Sequence, residues 1–223
     1  MRDCVLFLNG RYGKTDLPFY QRLCRGRYKV AVDGGYRFFR AACLFPDLLI
    51  GDFDSIGKMP ANLPRTTQVE RYPIKKDKTD AELALDYCLA RRAKNIDIVQ
   101  PSYGEPDQML GNFLLLLVAA RKNAGKYKPR IRLLNAKYEV QLLFDSSATI
   151  LSSVGDVASI LPVSEKIRLT TTGTSFDVKR VEILRGRSLG MRNRVTKTRA
   201  TFRIEGMALL IRQFRGKRST HSK

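Results

Sequence analysis

Two aspartates one residue apart, Asp52 and Asp54, follow the apolar run Leu48-Leu49-Ile50 and Gly51. The run predicts a buried strand. In an extended segment, residues two apart point to the same side. Both carboxylates then project from the C-terminal edge of a strand, where open α/β sheets bind ligands. Like charges held close repel unless a cation joins them. Hard oxygen ligands favour Mg²⁺, usually held by one or two carboxylates plus a substrate's phosphates. A solvated turn also explains a bare Asp-x-Asp-Ser. Further acidic motifs downstream favour the metal.

The first of these is Lys76-Asp77-Lys78-Thr79-Asp80-Ala81-Glu82. Thr79 and Glu82 have the spacing of a capping box, and Asp80 suits a first helical turn. Neither explains Asp77. Further on, Asp107 and Asn112 sit at the start of an apolar helical stretch, where Asp107 is also a natural N-cap. Upstream, Asp33-Gly34-Gly35 separates a strand from a helix, a geometry that lets backbone N–H groups approach a phosphate. A tight turn explains the two glycines equally well.

Composition narrows the chemistry. The single histidine is His221, in a basic C-terminal stretch. A Ser-His-Asp triad, a histidine base and a histidine-ligated metal therefore find little support. The four cysteines are scattered without a C-x-x-C pair, which suits reduced thiols and a cytoplasmic location. No apolar run is long enough to span a membrane. The net charge is +20, and residues 151–223 carry 16 Lys and Arg against 5 Asp and Glu. A basic surface attracts phosphorylated small molecules or nucleic acid. The basic residues are dispersed, without an aromatic-basic recognition motif, so nucleic acid ranks well below an enzyme.

The elements that must position these residues alternate. Strands are expected near 4–8, 29–32, 48–50, 68–71 and 95–99. Helices are expected over 16–25, 36–42, 80–92 and about 107–122. This order predicts an α/β domain over 1–129 with a doubly wound, mostly parallel sheet. From about Arg130 the pattern becomes short strand-like pieces: 131–134, 139–143, 148–151, 157–161, 166–171, 176–183, 196–204 and 207–214. These predict a smaller all-β sandwich domain over 130–215, followed by a flexible basic tail, 216–223.

Taken together, Asp33-Gly34-Gly35, Pro46-Asp47, Gly51-Asp52-Phe53-Asp54-Ser55, Asp77-Lys78-Thr79-Asp80 and Asp107 with Asn112 resemble the thiamine pyrophosphokinase family, in order and in spacing. The resemblance implies transfer of pyrophosphate from ATP to the hydroxyl of thiamine, giving thiamine diphosphate and AMP, with Mg²⁺. It implies that Asp52, Asp54 and Asp80 hold the metal, with Asp52 or Asp54 taking the hydroxyl proton. Asp33, Gly34, Gly35, Asp77, Thr79, Asp107 and Asn112 would line the nucleotide cleft, and Thr172, Phe176 and Asn193 the acceptor. Phe176 is equally readable as a core residue of a strand. The resemblance further implies a homodimer, with the acceptor held between the first domain of one subunit and the second domain of the other. The chain departs from the family pattern at Glu105, Gln108 and Arg192, which raises a different acceptor, such as a pterin, as the alternative.

Overall fold

The computed structural model describes residues 3–57, 59–102, 104–122, 127–151 and 153–215. The basic stretch 216–223 lies outside the described residues. The chain divides into two compact units, Met1–Ala136 and Lys137–Lys223.

In the first unit, six strands pair in parallel: β1 (Asp3–Phe7), β2 (Tyr28–Val32), β3 (Leu48–Gly51), β4 (Gln68–Arg71), β5 (Asn95–Val99) and β6 (Arg130–Leu134). Their order is β4-β3-β2-β1-β5-β6. The chain steps outward from β1 to β4, then returns to the other side of β1 for β5 and β6. Strand order therefore reverses beside β1, and connections leaving the carboxyl edge diverge there. The central strands are continuous apolar runs because both faces are covered. Val5, Leu6, Phe7, Leu48, Leu49 and Ile50 are fully buried.

Among the described residues, four α-helices connect the strands: α1 (Leu17–Cys24), α2 (Tyr36–Ala41), α3 (Asp80–Ala90) and α4 (Pro106–Lys122). Pro18 stands in the first turn of α1, where its missing N–H has no intrahelical partner to lose. The Phe7 ring stacks on Phe38 of α2 at 3.8 Å between centroids, and Tyr20 of α1 meets Phe7 edge-on. This aromatic knot fixes α1 and α2 against the middle of the sheet. No helix among the described residues is long and apolar enough to cross a membrane.

The second unit is antiparallel throughout. Its strands are β7 (Tyr138–Leu151), β8 (Val157–Pro162), β9 (Lys166–Thr172), β10 (Val181–Leu184), β11 (Asn193–Arg194) and β12 (Arg199–Gln213). β12 pairs with β7 along its length. Its other edge takes β9 at Thr201–Glu205 and β8 at Ala208–Gln213. Two strand groups thus share β7 and β12, and Leu143, Ile160, Ile167, Phe202 and Leu210 from both groups pack into one core. Register shifts between Ile204 and Met207. There Gly206, at φ 100°, donates its N–H to Asp145 Oδ1 at 2.7 Å. Such a bulge bends a pair of strands without ending it.

Three expectations change. The pieces 139–143 and 148–151 form one strand, as do most of 196–204 and 207–214. The expected strand 176–183 begins only at Val181, leaving Phe176 in a turn. Finally, β6 pairs with β5, so the first unit ends after Ala136 rather than at 129.

Candidate functional site

Asp33 follows β2, Asp52 follows β3, and Asp80 opens α3. All three reach the carboxyl edge of the parallel sheet. One carboxylate oxygen from each lies within 4.8 Å of the others. The local chain explains this convergence. Asp33 takes a left-handed backbone, φ 46°, which turns the chain from β2 straight into the α2 connection. Gly51 must lack a side chain, since a Cβ there would meet Asp33 Cβ at 3.0 Å. Thr79 caps α3 by accepting the Glu82 N–H at 3.2 Å, and the cap places Asp80 at the helix start.

Lys76 lies between two of these acids. Its Nζ is 2.9 Å from Asp52 Oδ2 and 3.0 Å from Asp80 Oδ1, and donates to the Pro73 carbonyl at 3.2 Å. The ammonium lowers the pKa of Asp52. Asp80 is pushed the other way: burial raises it, Asp52 and Asp33 add repulsion, and Lys76 offsets only part. Burial opposes the charge on Lys76, but its two carboxylate partners outweigh that and raise its pKa. Asp33 is 6% exposed, and its Oδ1 is buried without a hydrogen-bond partner, as is Asp80 Oδ1, which has only the Lys76 charge beside it. Buried polar atoms ordinarily find partners, so the Asp33 oxygen is poised for a cation.

Asp54 does not join the group. Phe53 is buried in the core at φ 71°. A left-handed residue breaks the alternation that would have put Asp52 and Asp54 on one side. Asp54 is exposed, accepts from Ser55 Oγ at 3.1 Å, and donates its own N–H to Asp52 Oδ1 at 3.2 Å. The structure thus brings Asp33 together with two of the expected ligands, Asp52 and Asp80, and leaves Asp54 outside that group.

The remaining expected residues separate. Gly34 and Gly35 are buried. A Cβ on Gly34 would overlap the Asn9 side chain, and one on Gly35 the Phe7 carbonyl. Close packing beneath β1 therefore accounts for both glycines. Asp77 and Asp107 are exposed, and Asp107 accepts the N–H of Gln108 at 2.7 Å. Asn112 of α4 donates to Gln100, just past β5, at 3.2 Å. Among the departures, Glu105, Gln108 and Arg192 are all exposed.

Two residues at this edge carried no motif signal besides Lys76. Asn9, just past β1, donates to Ser55 Oγ at 3.0 Å and accepts from Arg37 at 3.3 Å. Arg37 also donates to the Ser55 carbonyl. These bonds tie the Asp52–Ser55 turn to β1 and α2. Arg37 further lines a cavity of about 510 Å³ with Tyr36, Phe39, Arg40 and Phe45, and none of the three carboxylates lines it.

In the second unit, Asn193 is buried and fully engaged. It donates to Thr174 Oγ1 at 2.9 Å and to the Phe176 carbonyl at 2.8 Å, and accepts the Phe176 N–H at 3.1 Å. Asp177 closes the same turn through Gly173 and Thr174. The Phe176 ring is left 74% exposed, so it is not a core residue. Thr172 is exposed, with its hydroxyl 2.5 Å from that of Thr201.

Comparison with known proteins agrees with the motifs. Residues 20–127 match the family model described as thiamin pyrophosphokinase, catalytic domain. A thiamine pyrophosphokinase of Bacillus subtilis is 29% identical over 188 residues, spanning 82% of this chain and 86% of that protein. A crystal structure of thiamine pyrophosphokinase from Bacillus subtilis superposes with TM-score 0.78 at 27% identity, covering 95% of this chain and 99% of the other. One from Geobacillus thermodenitrificans gives 0.77 at 26% identity, covering 99% and 100%. The yeast enzyme, at 14% identity, TM-score 0.73 and coverage of 95% and 86%, shares the fold.

Proposed function

We propose, from the premise that the chain is an enzyme related to the thiamine pyrophosphokinases, that it makes thiamine diphosphate by Mg²⁺-dependent transfer of the β,γ-pyrophosphoryl group of ATP to the thiamine hydroxyl. The observation that carries this reading is the convergence of Asp33, Asp52 and Asp80 at the carboxyl edge of the parallel sheet.

The donor set fits a small hard cation. All three ligand atoms are carboxylate oxygens, and the partnerless Asp33 Oδ1 is an acceptor that protein groups leave unused. Asp33, Asp52 and Asp80 would hold Mg²⁺, which when bound supplies charge that offsets the triphosphate's repulsion of an incoming oxygen. In the transfer, a bond forms from the thiamine hydroxyl oxygen to the β-phosphorus, and the bond from that phosphorus to the α-bridging oxygen breaks, releasing AMP. The hydroxyl proton needs an acceptor. Asp54, beside the trio and open to solvent, suits that role better than Asp52, whose carboxylate would be engaged in holding the metal. Phe176, held outward by Asn193, offers a ring face for an aromatic acceptor. A homodimer and a cytoplasmic location complete the reading.

The test is AMP release from ATP in the presence of thiamine and Mg²⁺. Asp52→Asn and Asp80→Asn should each lower turnover by ~10² or more, since positioned charge supplies most of the rate in phosphoryl transfers. Unchanged turnover in either variant refutes the assignment. Asp54→Asn should cost ~10² to 10⁴-fold if it accepts the proton.

A further inference from the structure

We propose that Lys76 is a resident counter-cation of the carboxylate group, displaced when the divalent ion enters, whose charge then passes to the bound triphosphate. This rests on the metal-dependent reading above and adds a residue to it.

Three carboxylates share a space in which one oxygen of each lies within 4.8 Å of the others. Without a cation they repel. Lys76 supplies the cation: its Nζ bridges Asp52 at 2.9 Å and Asp80 at 3.0 Å, with only 13% of its side chain exposed. Its hydrogen bonds go to Asp52 and to the Pro73 carbonyl at 3.2 Å, and Asp80 holds it by charge alone. An ammonium with three such partners is held in place. It also occupies oxygens that a divalent ion needs. A lysine and a metal sharing Asp52 and Asp80 would stand a few ångströms apart with like charge, in a spot where screening is poor. The two therefore exclude one another.

Asp33 fixes the direction of the exchange. Lys76 reaches two of the three acids, and the buried Asp33 Oδ1 stays without a partner. Magnesium accepts several oxygen ligands at once, so it satisfies the third carboxylate as the ammonium does not. The displaced ammonium loses two carboxylates and needs another anion. It sits in the connection 72–79, between β4 and α3, at the edge where the carboxylates gather. A triphosphate arriving with the metal is the anion at hand, and lysine serves phosphates as a flexible point charge.

This exchange predicts opposite effects from one substitution. Lys76→Met should bind Mn²⁺, titrated alone against the full chain by calorimetry, on the order of tenfold more tightly than the unaltered protein. The same variant, saturated with metal, should bind a non-hydrolysable ATP analogue on the order of tenfold more weakly. Lys76→Arg, which keeps the charge, should restore nucleotide binding toward the original value. A lysine that merely braces the loop would weaken both ligands or neither. Any result other than the opposite pair of shifts overturns the exchange. In the unaltered chain, acylation of Lys76 followed by mass spectrometry should speed up severalfold when Mn²⁺ is added and slow again with the ATP analogue. That measurement decides the matter even if Lys76→Met does not fold, and an acylation rate indifferent to metal refutes the exchange. Failure of the unaltered chain to bind Mn²⁺ takes down the metal-dependent reading and the exchange together, whereas equal Mn²⁺ affinity in chain and variant takes down the exchange alone.

Discussion

Asp97, deep in the first unit, shows how firmly one residue can be pinned. It is 2% exposed on β5 and meets Arg27 at 2.6 Å and Arg132 at 2.8 and 2.6 Å. Burial pushes its pKa up, but Arg132 and then Arg27 outweigh that and lower it. A lowered folded pKa means stability that is present above the ordinary carboxylate value and lost as pH falls through the folded one. Asp97→Asn removes the anion that both guanidinium groups meet and should cost about 3–5 kcal/mol at pH 7, read as a drop in Tm on the order of 10 °C. The deficit should shrink as pH falls below the carboxylate range, because the unaltered protein loses the same charge. A constant deficit down to pH 3 would mean that packing, not charge, sets the cost. Placement at the sheet edge was legible where a motif states a type and a spacing, as with Asp52 and Asp80. It was not legible where conformation intervenes. Phe53 turns Asp54 away with a left-handed φ that no spacing rule foresees. Lys76 is silent for another reason: a lone lysine has no signature, and only the folded connection carries it between Asp52 and Asp80. Thr79 was readable as a cap, and a cap is what the structure shows.

Among the elements, the turn from β2 into α2 depends on glycine for space. A Cβ on Gly35 would overlap the Phe7 carbonyl, part of the β1 backbone, which cannot step aside. Gly35→Ala should therefore destabilise by about 1–3 kcal/mol. Gly111 in α4 is the opposite case: it is exposed, and nothing lies within 4 Å of a Cβ there. Gly111→Ala should stabilise by about 0.4–1 kcal/mol, chiefly by restricting the unfolded chain. Urea unfolding of the two variants should move the midpoint in opposite directions, and a shift of Gly35→Ala toward higher urea would contradict the packing argument. Strands β1, β2 and β3 were legible because buried parallel strands carry apolar runs, whereas β4 is largely exposed, and the helices carry their own start signals. β7 and β12 were read as two pieces each. Asp145-Ser146-Ser147 and Glu205-Gly206 have the composition of turns, yet Asp145, Glu205 and Gly206 form the bulge at which two long strands bend together, and Ser146 and Ser147 stay in the ladder. Sequence supplies the turn-like residues, and only the partner strand decides between a turn and a bulge.

At the scale of the molecule, the question is where the catalytic unit ends. The carboxylates, Lys76 and Asn9 all lie in Met1–Ala136, and the acceptor-side candidates Thr172, Phe176 and Asn193 lie in Lys137–Lys223. Composition changes near residue 130, because the segments beyond it are short and strand-like with no helices between them. By that criterion β6 belongs to the second unit. Pairing assigns it the other way. Residues Asn95–Val99 of β5 pair in parallel register with Arg130–Leu134, Leu133 and Leu134 are fully buried, and Arg132 is a partner of Asp97. A fragment cut at 129 loses all of this at once: it bares an edge of β5, exposes apolar surface and strands a buried carboxylate with one arginine fewer. A fragment of residues 1–136 keeps them. The longer fragment should melt cooperatively by circular dichroism and bind Mn²⁺ with an ATP analogue, while failing to release AMP in the presence of thiamine. The fragment of residues 1–129 should show no cooperative transition, since the loss of a buried ion pair and an edge strand exceeds what a domain of this size has in reserve. Equal melting of the two fragments would place the boundary where composition changes and make β6 dispensable to the catalytic unit. Thiamine-dependent turnover by residues 1–136 alone would remove Thr172, Phe176 and Asn193 from any part in holding the acceptor.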